Sequence, residues 1–125
     1  MMVSTDLLST GTIRPFIGSR DFDQSTEFYR ALGFSIEDVA PGLRYARRES
    51  IEFLLQDYHQ KEWCENTMVF VQVTDAEAWR SKCDDVLTNS AFSDAKVQGP
   101  RDEPHGKVTY LSDPTGVLWQ LTQLK

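Results

Sequence analysis

The chain has 125 residues, with 13 Lys and Arg against 19 Asp and Glu, for a formal net charge of −6. That is the length of one domain, and 40% hydrophobic with 26% charged residues describes a globular chain rather than a disordered one. No run approaches the roughly 18 apolar residues of a membrane span. The 2 cysteines are too few for a disulfide framework. The acidic balance argues against nucleic acid, whose phosphates call for an excess of Lys and Arg. The opening MMVSTDLLSTG lacks the basic n-region and apolar core of a secretory signal, so a cytoplasmic protein is expected.

In chain order, the first ten residues show no periodicity and read as a loose arm. Thr12–Ser19 alternates like a strand, with Pro15 marking an edge because proline cannot donate to a ladder. Asp21 is an N-cap, with Gln24 placed to complete a capping box. Phe22, Phe28, Tyr29 and Leu32 recur at helical spacing until Gly33 stops the run. Strands are predicted over 34–39, 43–47 and 50–57, with turns at Pro41-Gly42 and at Arg47-Arg48-Glu49. Tyr58–Asn66 is polar and without period, and reads as a connection.

The pattern then starts again. Thr67–Val73 alternates cleanly, Asp75 caps a helix to about Leu87, and strands follow at 95–98, 107–112 and 117–123. Asp113-Pro114-Thr115-Gly116 is the last tight turn. Both halves therefore run strand, helix, three strands, over about 12–57 and 67–123. Gly18-Ser19-Arg20-Asp21 matches Gln72-Val73-Thr74-Asp75, and Glu52 falls opposite Gln120. Each half has an apolar side for its helix and a mixed side that must meet something else. Two such mixed sheets curved toward each other would enclose a cleft. The expected fold is one α+β domain over 1–125, built of two βαβββ modules whose curved sheets form a concave cleft.

The segments RDFDQSTEFYRALGF (20–34) and SDPTGVLWQL (112–121) resemble the glyoxalase/bleomycin-resistance/dioxygenase superfamily, the vicinal oxygen chelate proteins. The likeness runs over about 12–123. It implies paired βαβββ modules, usually assembled as a homodimer with sites in the concave sheets. Enzymes of that superfamily hold a divalent metal on four positions, which fall here near Arg14, Glu52, Met68 and Gln120. Only Glu52 is an ordinary ligand, and Arg14 places a positive charge where the cation would lie. The resemblance therefore points to the metal-free, bleomycin-resistance-like branch, with neither metal nor cofactor and no catalytic residue.

Period 2 puts Phe16, Leu54, Phe70 and Leu118 on the concave faces as apolar walls, with Arg14, Glu52 and Gln120 as polar anchors. Trp63, an aromatic in a polar connection, is a candidate to stack on a planar or cationic ligand. His105 precedes Gly106 near the expected cleft mouth, and His59 lies in another polar loop. Trp79, Phe53 and Trp119 are assigned to the core. The expected function is sequestration of a small organic, cationic or aromatic ligand, with Glu52 as the anchor for a cation. The competing expectations are a metal-dependent or glutamate-based lyase, isomerase or oxygenase, and a module that serves a partner protein. No nucleic-acid or membrane partner is expected.

Overall fold

The computed structural model describes residues 7–125. Residues 1–6 of the expected arm lie outside that range, and residues 7–10 are exposed and without regular structure. The first half consists of β1 (Phe16–Gly18), α1 (Phe22–Ala31), β2 (Ser35–Ala40), β3 (Leu43–Arg48) and β4 (Ile51–Gln56). A short helix, α2 (Lys61–Glu65), leads into β5 (Met68–Gln72), α3 (Ala76–Val86), a 3-10 turn at Ser90–Phe92, β6 (Lys96–Glu103), β7 (Gly106–Ser112) and β8 (Leu118–Leu124). None of the described helices is long and apolar enough to cross a membrane.

The two long helices begin where an aspartate satisfies their first free amides. Asp21 accepts from Gln24 N at 3.0 Å, and Asp75 from Glu77 N and Ala78 N at 3.0 Å. The reciprocal half of the predicted capping box is absent: the Gln24 amide reaches instead to the Ala91 carbonyl, at 2.8 Å. Each helix then buries one stripe, through Phe28 and Tyr29 on α1 and through Cys83 and Val86 on α3.

Each half forms one sheet, ordered β1-β4-β3-β2 and β5-β8-β7-β6, with the first strand parallel to the last. Phe16 pairs with Leu54, and Phe70 with Gln120. Phe16 and Phe70 stand equally far before their capping aspartates, so the counterpart of Gln120 is Leu54 and that of Glu52 is Leu118. The predicted match of Glu52 with Gln120 is thus displaced by one side-chain row, though all four residues stay on the same sides.

The helix-facing sides of the two sheets share a single core. Tyr29, Phe34, Phe53 and Trp119 meet there, with Tyr29 and Phe53 ring centroids 4.9 Å apart and Phe53 and Trp119 5.4 Å apart. Such rings contribute area burial plus edge-to-face attraction. A buried polar chain crosses the seam between the halves. Trp119 Nε1 donates to the Tyr29 hydroxyl at 2.9 Å, and that hydroxyl donates to Asp113 Oδ2 at 2.6 Å. Asp113 Oδ1 accepts from the amides of Thr115, Gly116 and Val117 at 2.8–2.9 Å. The terminal tight turn is therefore both a loop closure and the anchor between modules.

Three predicted elements differ. The first strand shrinks from Thr12–Ser19 to Phe16–Gly18: Pro15 still accepts from Leu54 N at 2.9 Å, but residues before it leave the sheet and are exposed. The connection 58–66 contains α2, which turns Cys64 inward to full burial while its other side chains stay exposed. The strand predicted at 95–98 runs on to Glu103, because the ladder breaks at Gly99 and Pro100 and resumes at Arg101 opposite Val108.

Candidate functional site

Fusion of the helix-facing sides into one core leaves both mixed sides turned to solvent in the single chain. Phe16 is 49% exposed, Phe70 55% and Met68 65%, whereas Phe28, Phe53 and Tyr29 are fully buried. The predicted walls and anchors therefore divide into two groups, one on each sheet. The two halves of the chain do not close a cleft on each other among the described residues.

The face of the first sheet carries Arg14, Phe16, Glu52 and Leu54. Arg14 Nε donates to Glu52 Oε1 at 3.0 Å, and the guanidinium lies 4.7 Å from the Tyr45 ring centre. The Tyr45 hydroxyl donates to the same Glu52 oxygen. That hydroxyl, with the Arg14 guanidinium, holds the Glu52 carboxyl below its ordinary range. A carboxylate so stabilised is a poor general base. It is also engaged, so a cation would have to displace a guanidinium to use it. The expectation that Glu52 anchors a cationic ligand is therefore not what this geometry supports.

Trp63 ends this face. Gly18 is closely covered there: a Cβ on it would lie 2.9 Å from the Trp63 ring, 2.7 Å from the Tyr58 carbonyl oxygen and 3.0 Å from Cys64 Sγ. Trp63 is 39% exposed and sits beside Tyr58, with ring centroids 5.9 Å apart. His59 is exposed in the preceding loop.

The face of the second sheet carries Met68, Phe70, Leu118 and Gln120. The Gln120 amide donates to Met68 Sδ at 3.6 Å. His105, from the β6–β7 turn, lies with its ring centroid 6.4 Å from that of Phe70. The Tyr110 hydroxyl donates to Glu103 Oε2 at 3.0 Å, and Arg101 lies 5.2 Å from the Tyr110 ring centre. Each face thus holds a tyrosine stacked under an arginine and bonded to a glutamate. Tyr45, Arg47, Arg101, Glu103 and Tyr110 were missed by sequence reasoning. The β3–β4 hairpin held the signal for two of them. Its loop is Glu49-Ser50, with Glu49 at φ 54°, and that loop sets Arg47 opposite Glu52 and Tyr45 opposite Leu54.

Arg14, Glu52, Met68 and Gln120 do not fit a divalent metal. They divide between two faces, one is a cation, and the one carboxylate is already bonded to Arg14 and Tyr45. Among the described residues, no three His, Cys, Asp or Glu side chains cluster as a metal site would require. A groove of about 590 Å³ lies away from both faces, where the β3–β4 turn meets the start of α3. Its charged groups are already engaged, Asp75 in the helix cap, Glu49 by Arg48, and Arg48 also 4.7 Å from the Trp79 ring centre.

No protein-family model matches the sequence, and no curated protein matches it. Solved structures do. A bleomycin-binding protein complexed with bleomycin is 24% identical, with a TM-score of 0.75 over 93% of this chain and 100% of that one. The bleomycin-binding protein of bleomycin-producing Streptomyces verticillus, complexed with copper(II)-bleomycin, is 20% identical, with a TM-score of 0.78 over 94% and 99%. A fosfomycin resistance protein from Listeria monocytogenes, complexed with Mn(II) and sulfate, is 10% identical, with a TM-score of 0.71 over 94% and 93%. At these identities the likeness is one of fold, and it runs over nearly the whole chain, as the sequence resemblance implied. The architecture, α+β with two four-stranded sheets, is the one expected and matches that of the bleomycin-binding proteins.

Proposed function

We propose that this chain binds and sequesters a small, partly aromatic organic molecule on its two open faces, with a second copy of the chain closing the cleft and no bond made or broken. One observation carries this: large apolar side chains, Phe16 and Phe70 above all, are left exposed beside polar anchors on faces that the described residues leave open. That is the composition of a ligand pocket, presented here as two halves. The folds of two bleomycin-binding proteins support the reading, since each has its ligand bound. No metal takes part, because the donor set cannot hold one, and the paired Glu52 is not a base.

A thermal-shift screen of antibiotics and aromatic metabolites tests the binding. A ligand at about 100 times its Kd stabilises the fold by about 2.7 kcal/mol. Sedimentation at micromolar concentration tests the assembly and returns twice 14.3 kDa. A monomer, a ligand chemically altered at steady turnover, or a stoichiometric metal with Glu52 in its coordination shell each overturns the corresponding part.

A further inference from the structure

The charges on the two faces do not follow those of the whole chain. Across the first sheet, one row of side chains runs Arg14, Glu52, Arg47, Ser35. Arg14 spends only Nε on Glu52, and Arg47 is exposed and has no ion pair among the described residues. Arg47 adds to the field that keeps Glu52 ionised. The neighbouring row runs Phe16, Leu54, Tyr45, Glu37, about 6.6 Å along the strands. Glu37 stands on the edge strand and is not paired with Arg47. A recess of about 260 Å³ lies between these two rows at Arg47, lined also by Ser35, Tyr45 and Glu37. On the second sheet, Lys96 and Arg101 share the face with Glu103. In a chain of net charge −6, the open faces thus carry Arg47, Lys96 and Arg101, none with an ion pair among the described residues, while Glu52 is engaged by Arg14 and Tyr45 and the other carboxylates there are Glu37 and Glu103.

We propose that the ligand is a planar aromatic acid, its ring lying on Phe16 and Leu54 and its anionic group on the Arg47 guanidinium at the mouth of that recess. This rests on the ligand-binding reading above and names the ligand's class. A guanidinium offers a carboxylate, sulfonate or phosphate ester two parallel donors, and the Arg47 guanidinium has no hydrogen-bond or ion-pair partner among the described residues. Arg14, one strand pair away, adds its Nη groups from the other side of Glu52. A cationic ligand finds two guanidiniums and one occupied carboxylate in the same row.

The test uses the full chain and three probes of one shape: 2-naphthoate, 2-naphthamide and 2-naphthylmethylamine, titrated calorimetrically at low salt. The acid binds at least about tenfold more tightly than the amide or the amine, the scale of one charge-assisted hydrogen bond. Arg47→Gln brings the acid to the affinity of the amide, and Glu37→Gln tightens the acid alone. Phe16→Ala weakens all three by a similar factor. An amine that equals or exceeds the acid overturns the acid class and leaves the binding faces standing, provided Phe16→Ala weakens it. So does an acid-to-amide ratio unchanged by Arg47→Gln. Probes that fail to bind at millimolar concentration, or that ignore Phe16→Ala, overturn the class and the binding faces together.

Discussion

Replacing Tyr29 by Phe removes one oxygen and keeps the ring, so the aromatic cluster with Phe34, Phe53 and Trp119 stays filled. The loss is confined to two buried hydrogen bonds, from Trp119 Nε1 at 2.9 Å and to Asp113 Oδ2 at 2.6 Å. Asp113 is fully buried and Trp119 is 3% exposed, so water does not replace the hydroxyl. An unsatisfied indole N–H costs about 1–3 kcal/mol, and a lost bond to a charged acceptor about 1.5–3 kcal/mol. The expected destabilisation is about 3–5 kcal/mol, a large share of the roughly 5–15 kcal/mol that holds a domain together. Urea unfolding followed by tryptophan fluorescence reads it as a lower midpoint at unchanged slope. The pH dependence adds a second check. Burial raises the Asp113 carboxyl above its ordinary 3.8, while the Tyr29 hydroxyl and the three turn amides pull it back down. With a raised folded pKa, its contribution to stability is greatest below about pH 3.8 and is lost as pH rises through the folded value. Tyr29→Phe raises that value further, so the deficit is full at pH 7.5 and shrinks toward pH 4. A loss under about 1 kcal/mol, or a deficit that grows as pH falls, refutes the role given to this chain of hydrogen bonds.

Leu54→Trp fills the space between Phe16 and Tyr45; it abolishes ligand binding and moves the unfolding free energy by less than about 1.5 kcal/mol, because the face is half open. Retained binding in the folded variant places the ligand elsewhere. Gly18→Ala puts a methyl 2.7 Å from the Tyr58 carbonyl oxygen and 2.9 Å from the Trp63 ring, so it costs about 1–3 kcal/mol and shifts the emission of Trp63. Unchanged stability and spectrum would mean that α2 is not seated on β1. Both cysteines are buried and their thiols are pushed up by desolvation, Cys83 to about 12. A disulfide reagent at pH 8 therefore labels neither thiol until urea is added. Prompt labelling in native buffer contradicts that burial.

The module order, the capping aspartates and the alternation of the strands were legible because each is local. Asp21 and Asp75 sit just before an apolar stripe, and Val69, Val71 and Val73 repeat at period 2, whatever surrounds them. The same periodicity placed Phe16, Leu54, Phe70 and Leu118 together on the mixed sides, and Phe53 and Trp119 opposite. Partnership across strands was not legible, because it depends on register. Putting the hairpin turn at Arg47-Arg48-Glu49 rather than Glu49-Ser50 hid the row that joins Arg14, Glu52 and Arg47, and with it the engagement of Glu52. Nor does periodicity say which sides of two similar sheets join. Tertiary structure decided that, since the rings of Tyr29, Phe34, Phe53 and Trp119 bury most apolar area by fusing the helix-facing sides. The amphipathic strands specify two faces each; only the shared core determines which pair is left open to a ligand.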